Sequence, residues 1–254
     1  MPNDFNSRVL DEVDHRPWPV PDARWIMTQT WHDLLFAHWP IDAAHLATKI
    51  PSPLELDLFQ GQAWLGIVPF RMTNVTARGV APWPWVSAFP ELNVRTYVRV
   101  RDQPGVYFFS LDAGNPLAVC AARTLFQLPY YWAHMTLVAA DNGHRTIRYS
   151  SRRRASDAEL VASYRPDGPA FQARAGTIEH FLTERYCLYT VDRHARASRL
   201  EIHHPPWRLQ PATAVCRVNT MTDRLGIRLP SSAPLLHFAT RQDVVAWRPV
   251  RLGV

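Results

Sequence analysis

The sequence predicts a mainly β protein of the α+β kind, whose antiparallel strands close on themselves or stack, with a few short helices at the flanks. Three observations carry this reading. Segments with period-two alternation recur along the whole chain. Pro and Gly turns separate them, and only three short stretches show helical spacing or a helix cap. Many strands with frequent turns and few helices belong to barrels and sandwiches.

The clearest strand runs over residues 89–101. Glu91, Asn93, Arg95, Tyr97, Arg99 and Arg101 fall on one face, and Leu92, Val94, Thr96, Val98 and Val100 on the other. Successive side chains on a strand point to opposite faces. Residues 102–105 form the turn that follows, so Arg99 and Arg101 should reach water. The Glu91 end, set between apolar flanks, should line a cavity, with the Leu92, Val94 and Val98 face packed on outer helices.

In chain order, residues 1–22 are polar and proline-punctuated and read as an extended arm; residues 23–254 read as a single domain. Residues 24–36 form a strand. Asp42 caps a helix over 43–49, which Pro51 and Pro53 stop. Residues 54–58 alternate, and residues 63–70 are nearly all apolar, which fits a strand buried on both faces. A loop over 73–85 precedes the central strand, and residues 106–111 return from it. Asn115 and Pro116 start a helix that ends near Phe126, with Leu117, Cys120, Ala121 and Leu125 facing the core and Arg123 off that stripe. Residues 128–140 are extended, Asn142 and Gly143 form a hairpin turn, and strands follow at 146–151 and 160–164. Thr177 caps a short helix. The remaining strands fall at 186–191, 198–202, 214–220 and 235–239.

Composition bounds the function. The chain of 254 residues is 47% hydrophobic and 20% charged, which is ordinary for a soluble globular protein with a full core. No apolar run approaches a membrane span and no basic-then-apolar leader is visible, so no membrane role is expected. Cys120, Cys187 and Cys216 are an odd number without ligand spacing. A reducing cytoplasm fits best, with the thiols buried as small hydrophobes. The net charge of +6 comes from scattered arginines, and the tight run Arg152–Arg154 reads as a solvated loop, so nucleic acid is not expected as a partner. A small-molecule ligand is the expected partner, and a homo-oligomer is left open. No phosphate loop, Gly-x-Ser-x-Gly elbow or paired-Cys motif is present, and no cofactor or metal is expected. His203 and His204 are adjacent and point opposite ways on a strand, which disfavours a shared metal.

A family resemblance covers nearly the whole chain, from about Trp25 to Trp247. It lies in Trp31-His32-Asp33-Leu34-Leu35-Phe36-Ala37-His38-Trp39, Pro53-Leu54-Glu55-Leu56-Asp57, Trp64-Leu65-Gly66-Ile67-Val68-Pro69-Phe70 and Glu91-Leu92-Asn93-Val94-Arg95-Thr96-Tyr97-Val98. Phe109-Ser110-Leu111-Asp112, Ala122-Arg123, Leu128-Pro129-Tyr130, Thr183-Glu184-Arg185-Tyr186 and His204-Pro205-Pro206-Trp207 continue it. These segments resemble the YqjF-like family of uncharacterised proteins, a domain of unknown function.

More distantly, Pro51-Ser52-Pro53-Leu54-Glu55, Phe89-Pro90-Glu91, Leu111-Asp112 and Arg123 follow the order of elements in acetoacetate decarboxylase and its relatives. That resemblance implies an acetoacetate-decarboxylase-like antiparallel β-barrel with a mostly apolar lumen. It places Glu91 on the active-site glutamate and His32 near an active-site arginine. It also marks a departure. Those enzymes carry a lysine pair where this chain has Tyr130 and Tyr131, and the first lysine forms a Schiff base with the substrate ketone. Tyrosine forms no imine, and Lys49, the single lysine of the chain, lies elsewhere.

The expected site therefore combines Glu91 and Tyr130 as catalytic candidates with His32, Asn93, Arg95, Arg123 and Tyr131 as ligand-binding candidates. Glu91 with Arg95 or Arg123 is either an acid/base group tuned by a cation or a satisfied buried ion pair. Tyr130 and Tyr131 either donate hydrogen bonds as weak acids or form amphipathic wall. Arg185 either neutralises a helix C-terminus or reaches the cavity. Three functions remain open: a binding protein for a small carboxylate or carbonyl compound, a non-covalent acid/base enzyme on the same cavity, and a structural or interaction protein.

Overall fold

The computed structural model describes residues 9–80, 87–141 and 145–253. The turn expected at Asn142 and Gly143, and residues 81–86 of the expected loop, lie outside these. Among the described residues the strands are β1 (Met27–Ile41), β2 (Glu55–Leu56), β3 (Ala63–Ala77), β4 (Phe89–Val100), β5 (Gln103–Ala113), β6 (Tyr130–Asp141), β7 (Arg145–Arg153), β8 (Glu159–Pro166), β9 (Cys187–Val191), β10 (Ala197–His203), β11 (Leu209–Asn219), β12 (Leu235–Ala246) and β13 (Val250–Arg251). The helices are α1 (Ala43–Ala47), α2 (Pro116–Phe126) and α3 (Ile178–Thr183).

The caps form as the side chains dictate. Asp42 Oδ1 accepts from the His45 amide at 2.7 Å, and Asn115 Oδ1 accepts from Leu117 and Ala118 at 2.9 and 3.2 Å. Pro116 occupies the first turn of α2, where its missing N–H costs nothing.

The strands make one sheet that closes on itself twice. β12, β1, β3, β4 and β5 form a shared wall. At one end β5 splits its free edge, pairing with β9 at Val106 and Tyr107 and with β6 from Leu111 to Ala113. At the other end β12 pairs with β10 near Ala246 and with β11 near Ala239. The pairing β9–β10 closes a first ring, and β6-β7-β8-β11 closes a second. The pairings are antiparallel except β5–β6 and β5–β9, which run parallel. Between β5 and β6 the expected antiparallel ladder fails because α2 carries the chain across as a crossover, and a crossover returns it in the same direction.

The shared wall has a core on each side. Leu34, Phe36, Val68, Phe70 and Phe108 fill the first ring; Leu35, Ile67, Leu92, Val94, Tyr149 and Tyr164 fill the second. A strand buried on both faces has no polar face to alternate, which is why residues 63–70 read as continuous apolar. The Leu92 and Val94 face packs on β7 and β8 through Ile147, Tyr149 and Leu160, not on outer helices as expected. Val98 packs with Leu54, Cys187 and Tyr189.

Two irregularities reset the alternation. Asp33 sits at φ 54° in β1, and Phe109 is an extra residue on β5 opposite the step from Val94 to Arg95. Before Asp33, Gln29 and Trp31 line the first ring; after it, Leu34 and Phe36 do.

Other expectations shift in detail. The hairpin turn after β4 is Arg101-Asp102, with Arg101 at φ 55°, because Gln103 already pairs with Val100. Of the run Arg152–Arg154, expected as a solvated loop, Arg152 and Arg153 end β7 and Arg154 begins the turn after it; Arg152 and Arg154 are exposed as expected, and Arg153 is not. Arg153 is buried there, donating to Asp112 Oδ1 at 2.6 Å and lying 3.9 Å from the Tyr131 ring centre. Cys187 is buried, but Cys120 and Cys216 are exposed. Within residues 9–22, Val9 is buried, and Arg16 and Trp18 both donate to Glu201 Oε2 at 2.9 Å.

Candidate functional site

The first ring encloses a cavity of about 210 Å³. Register orders its walls along the wall strands. Arg95 lies opposite Gly66, Asn93 opposite Val68, Glu91 opposite Phe70 and Phe89 opposite Met72. The polar side chains of β4 thus enter from one strand, two residues apart. Thr183, Arg185 and His204 join them from the ends of α3 and β10, and Trp207 from the β10–β11 connection.

Glu91 is buried, and Tyr130 Oη donates to its Oε2 at 2.9 Å. Burial pushes the Glu91 carboxyl up to about 8; nearby Asp112 adds to this, and hydrogen bonds from Tyr130 and Asn93 only partly oppose it. The carboxyl therefore keeps its proton at neutral pH. Burial, and then Glu91 itself, raise the Tyr130 phenol well above its ordinary range. This is a hydrogen-bonded pair of neutral acids, not the carboxylate–arginine pair considered from sequence.

Arg95 makes no ion pair among the described residues. Its Nη2 donates to the Leu182 carbonyl at 3.0 Å and approaches Tyr97 Oη at 3.4 Å. Its guanidinium faces the Phe36 and Tyr97 rings at 5.4 and 5.7 Å. Its Nε is buried without a hydrogen-bond partner, as are Asn93 Oδ1 and Trp207 Nε1. Behind it, Tyr97 Oη donates to Leu182 O at 2.8 Å, so His38 Nε2, 2.6 Å away, supplies the proton of the other bond. Burial, then Arg95, hold His38 well below the usual imidazole range. Gly66 makes this packing possible, because a Cβ there would lie 2.9 Å from the His38 ring.

Arg185 is compensated. Its Nη1 meets Asp57 Oδ2 at 2.6 Å and its Nε donates to Phe181 O at 2.7 Å. It both caps the end of α3 and reaches the cavity. His204 is buried and kept below its ordinary range by desolvation, with Tyr186 stacked on it at 4.7 Å. Among the described residues, the cavity thus holds one cation without an ion pair, Arg95, and a neutral carboxyl.

The structure gathers Glu91, Asn93, Arg95 and Tyr130 in the cavity, and it places the other candidates outside. Arg123 is exposed on α2, with Nε donating to Tyr130 O at 2.6 Å. Tyr131, next to Tyr130 on β6, points the opposite way and meets Arg153. His32 lies beyond the cavity, its Nε2 2.7 Å from Thr73 Oγ1, because Trp31 and not His32 faces inward before the Asp33 reset. The helix α2 turns Ala118, Ala122 and Phe126 to the cavity and leaves Leu117 and Cys120 exposed, a stripe different from the one expected. Sequence reading missed Thr183, His204 and Trp207 as cavity residues. The signal available was their place in the Thr183-Glu184-Arg185-Tyr186 and His204-Pro205-Pro206-Trp207 segments. Lys49 does not line the cavity; it sits beside Gly226. No trio of metal-ligating side chains gathers among the described residues.

Residues 28–243 match the DUF2071 family, described as "Uncharacterized conserved protein". The chain belongs to this family. It is 50% identical to the uncharacterized protein YqjF of Bacillus subtilis over 232 residues, which cover 91% of this chain and 94% of that one. Solved structures share the fold. The enduracididine biosynthesis enzyme MppR in complex with pyruvate aligns with a TM-score of 0.64 at 10% identity, covering 94% of this chain and 93% of that one. Acetoacetate decarboxylase from Legionella pneumophila aligns with a TM-score of 0.61 at 11% identity, covering 96% and 95%. The DUF2071 chain therefore has an acetoacetate-decarboxylase-like fold. No described helix is long and apolar enough to cross a membrane.

Proposed function

We propose that the first-ring cavity binds a small organic acid, its carboxylate held by Arg95, without a covalent lysine adduct. One observation carries this reading. Arg95 is a cation without a counter-charge among the described residues, and its Nε is buried without a partner in the cavity wall. Arg95 is half-buried; leaving its Nε without a partner away from water is costly, and a planar guanidinium fork matches a carboxylate. Glu91, being protonated, does not supply that charge. The Asn93 Oδ1 and Trp207 Nε1 groups offer an acceptor and a donor to the rest of the ligand. MppR, of the same fold, holds pyruvate in its solved structure, which is an acid of the proposed size. The chain's single lysine stands outside the cavity, so amine catalysis has no group to use.

A second reading adds chemistry at the same place. Glu91, with its raised pKa and its bond from Tyr130, suits a general acid that protonates a carbonyl compound held on Arg95. The test for binding is a thermal-shift series of small carboxylic acids against their amides. Acids should raise the melting temperature, by about 2.7 kcal/mol of stability at a hundredfold excess over the dissociation constant. Amides should not, and Arg95→Gln should abolish the effect. Equal shifts from acids and amides, or shifts that survive Arg95→Gln, overturn it.

A further inference from the structure

The cavity that holds Arg95 is segregated along its length. On the shared wall its lining runs from Arg95 through Asn93 and Glu91 to Phe89 on β4, and from Val68 through Phe70 and Met72 to Val75 on β3. β1 follows in antiparallel register, with Phe36 near the Arg95 level and Met27 at the far end, beside Ala246 of β12. Arg95, Asn93 and Glu91 therefore occupy one end, and beyond Glu91 the wall strands offer aromatic, Met and Val side chains together with Gln29, whose Oε1 is already taken by Trp31 Nε1 at 2.8 Å. The six steps from Arg95 to Phe89 span roughly 20 Å at the rise of a strand. A volume of about 210 Å³ spread over such a length is a narrow channel, not a compact chamber.

We infer that the ligand is an elongated monocarboxylic acid, with its carboxylate at Arg95 and an unbranched aliphatic chain laid along the Phe89–Met72–Val75 end. This rests on the carboxylate reading of Arg95 and specifies the body attached to that carboxylate. A compact hydrophilic acid would leave the far end empty, and its apolar walls would gain nothing from binding. A chain that fills it removes apolar surface from water with every methylene. Met27 and Met72 at that end are unbranched and adapt to chains of different length. α2 faces the channel with Ala118, Ala122 and Phe126, and the two alanines leave it open along the first turns of that helix.

The experiment is calorimetric titration of the full chain with butanoate, hexanoate, octanoate and decanoate, each below its micellar concentration, and with the primary alcohols of the same lengths. Affinity should rise by about fourfold per methylene until the channel is full and then level off. Arg95→Gln should weaken every acid by a similar factor while keeping the dependence on length. Val75→Phe, which narrows the channel beyond Met72 at the end away from Arg95, should remove the gain for octanoate and leave butanoate unchanged; should that variant not fold, the unmodified chain's length series still decides. Acids that bind in an Arg95-dependent way with no dependence on length overturn the elongated ligand and leave the carboxylate reading standing. Alcohols that bind as tightly as acids, or no binding by any acid, overturn both.

Discussion

Replacing Glu91 by Gln should change not the stability of the protein at one pH but the way stability depends on pH. Burial holds the Glu91 proton to about pH 8, against 4.5 for the free side chain. Between those values the unfolded chain has released this proton and the folded protein has not. The unfolded state then binds fewer protons, so this group's contribution to folding falls as pH rises, by about 1.4 kcal/mol per pH unit. It is favourable below about pH 4.5 and lost by about pH 8. The whole window amounts to on the order of 5 kcal/mol for a fully buried group. Glutamine keeps the shape, accepts from Tyr130 Oη and carries no titrating proton. The difference between the two proteins isolates the group, whatever His38, His203 and His204 contribute in the opposite direction. Urea denaturation at about pH 5.5 and 7.5 should find the variant gaining roughly 3 kcal/mol relative to the parent over that interval. A difference that stays constant with pH would show that Glu91 ionises normally, and the picture of a neutral carboxyl beside Arg95 would fail.

Other consequences follow from the same geometry. Asp112→Ala should leave Arg153 buried without its partner and lower stability by about 3–5 kcal/mol in urea denaturation; a loss under 1 kcal/mol would mean that the pair is solvated. Gly105→Ala should be worse tolerated than a typical surface change, since its Cβ would lie 2.9 Å from the Cys187 carbonyl and 2.7 Å from the Tyr189 ring, and near-native melting would contradict that close approach. Borohydride reduction in the presence of acetoacetate should leave the mass of the protein unchanged. A stoichiometric adduct on Lys49 would refute the absence of imine chemistry.

Much of the fold was legible because its signals are local. Caps at Asp42, Asn115 and Thr177 depend on one side chain and a few amides, and they form where the sequence places them. The alternation of β4 correctly set Glu91, Asn93 and Arg95 on one face. Non-local facts were not legible. Whether the opposite face meets helices or a second sheet depends on how β5 and β12 split their edges, and no residue in β4 reports that. The resets at Asp33 and Phe109 flip parity without a glycine or proline to announce them, which is how His32 ends outside while Trp31 lines the cavity. Arg123 and Tyr131 were placed by nearness in sequence to cavity residues, and helix phase and strand alternation turn both away. Arg185, His204 and Trp207 reach the site from connections far along the chain, where periodicity carries no information about direction.

The central claim is that Arg95 receives the carboxylate of a ligand, and a crystal structure with an acid that raises the melting temperature tests it most directly. The carboxylate should lie in the first ring, with an oxygen at about 2.9 Å from Arg95 Nε, the range of charge-assisted hydrogen bonds. An acid bound elsewhere, at the exposed Arg123 for example, with Arg95 Nε still unpartnered, would contradict it.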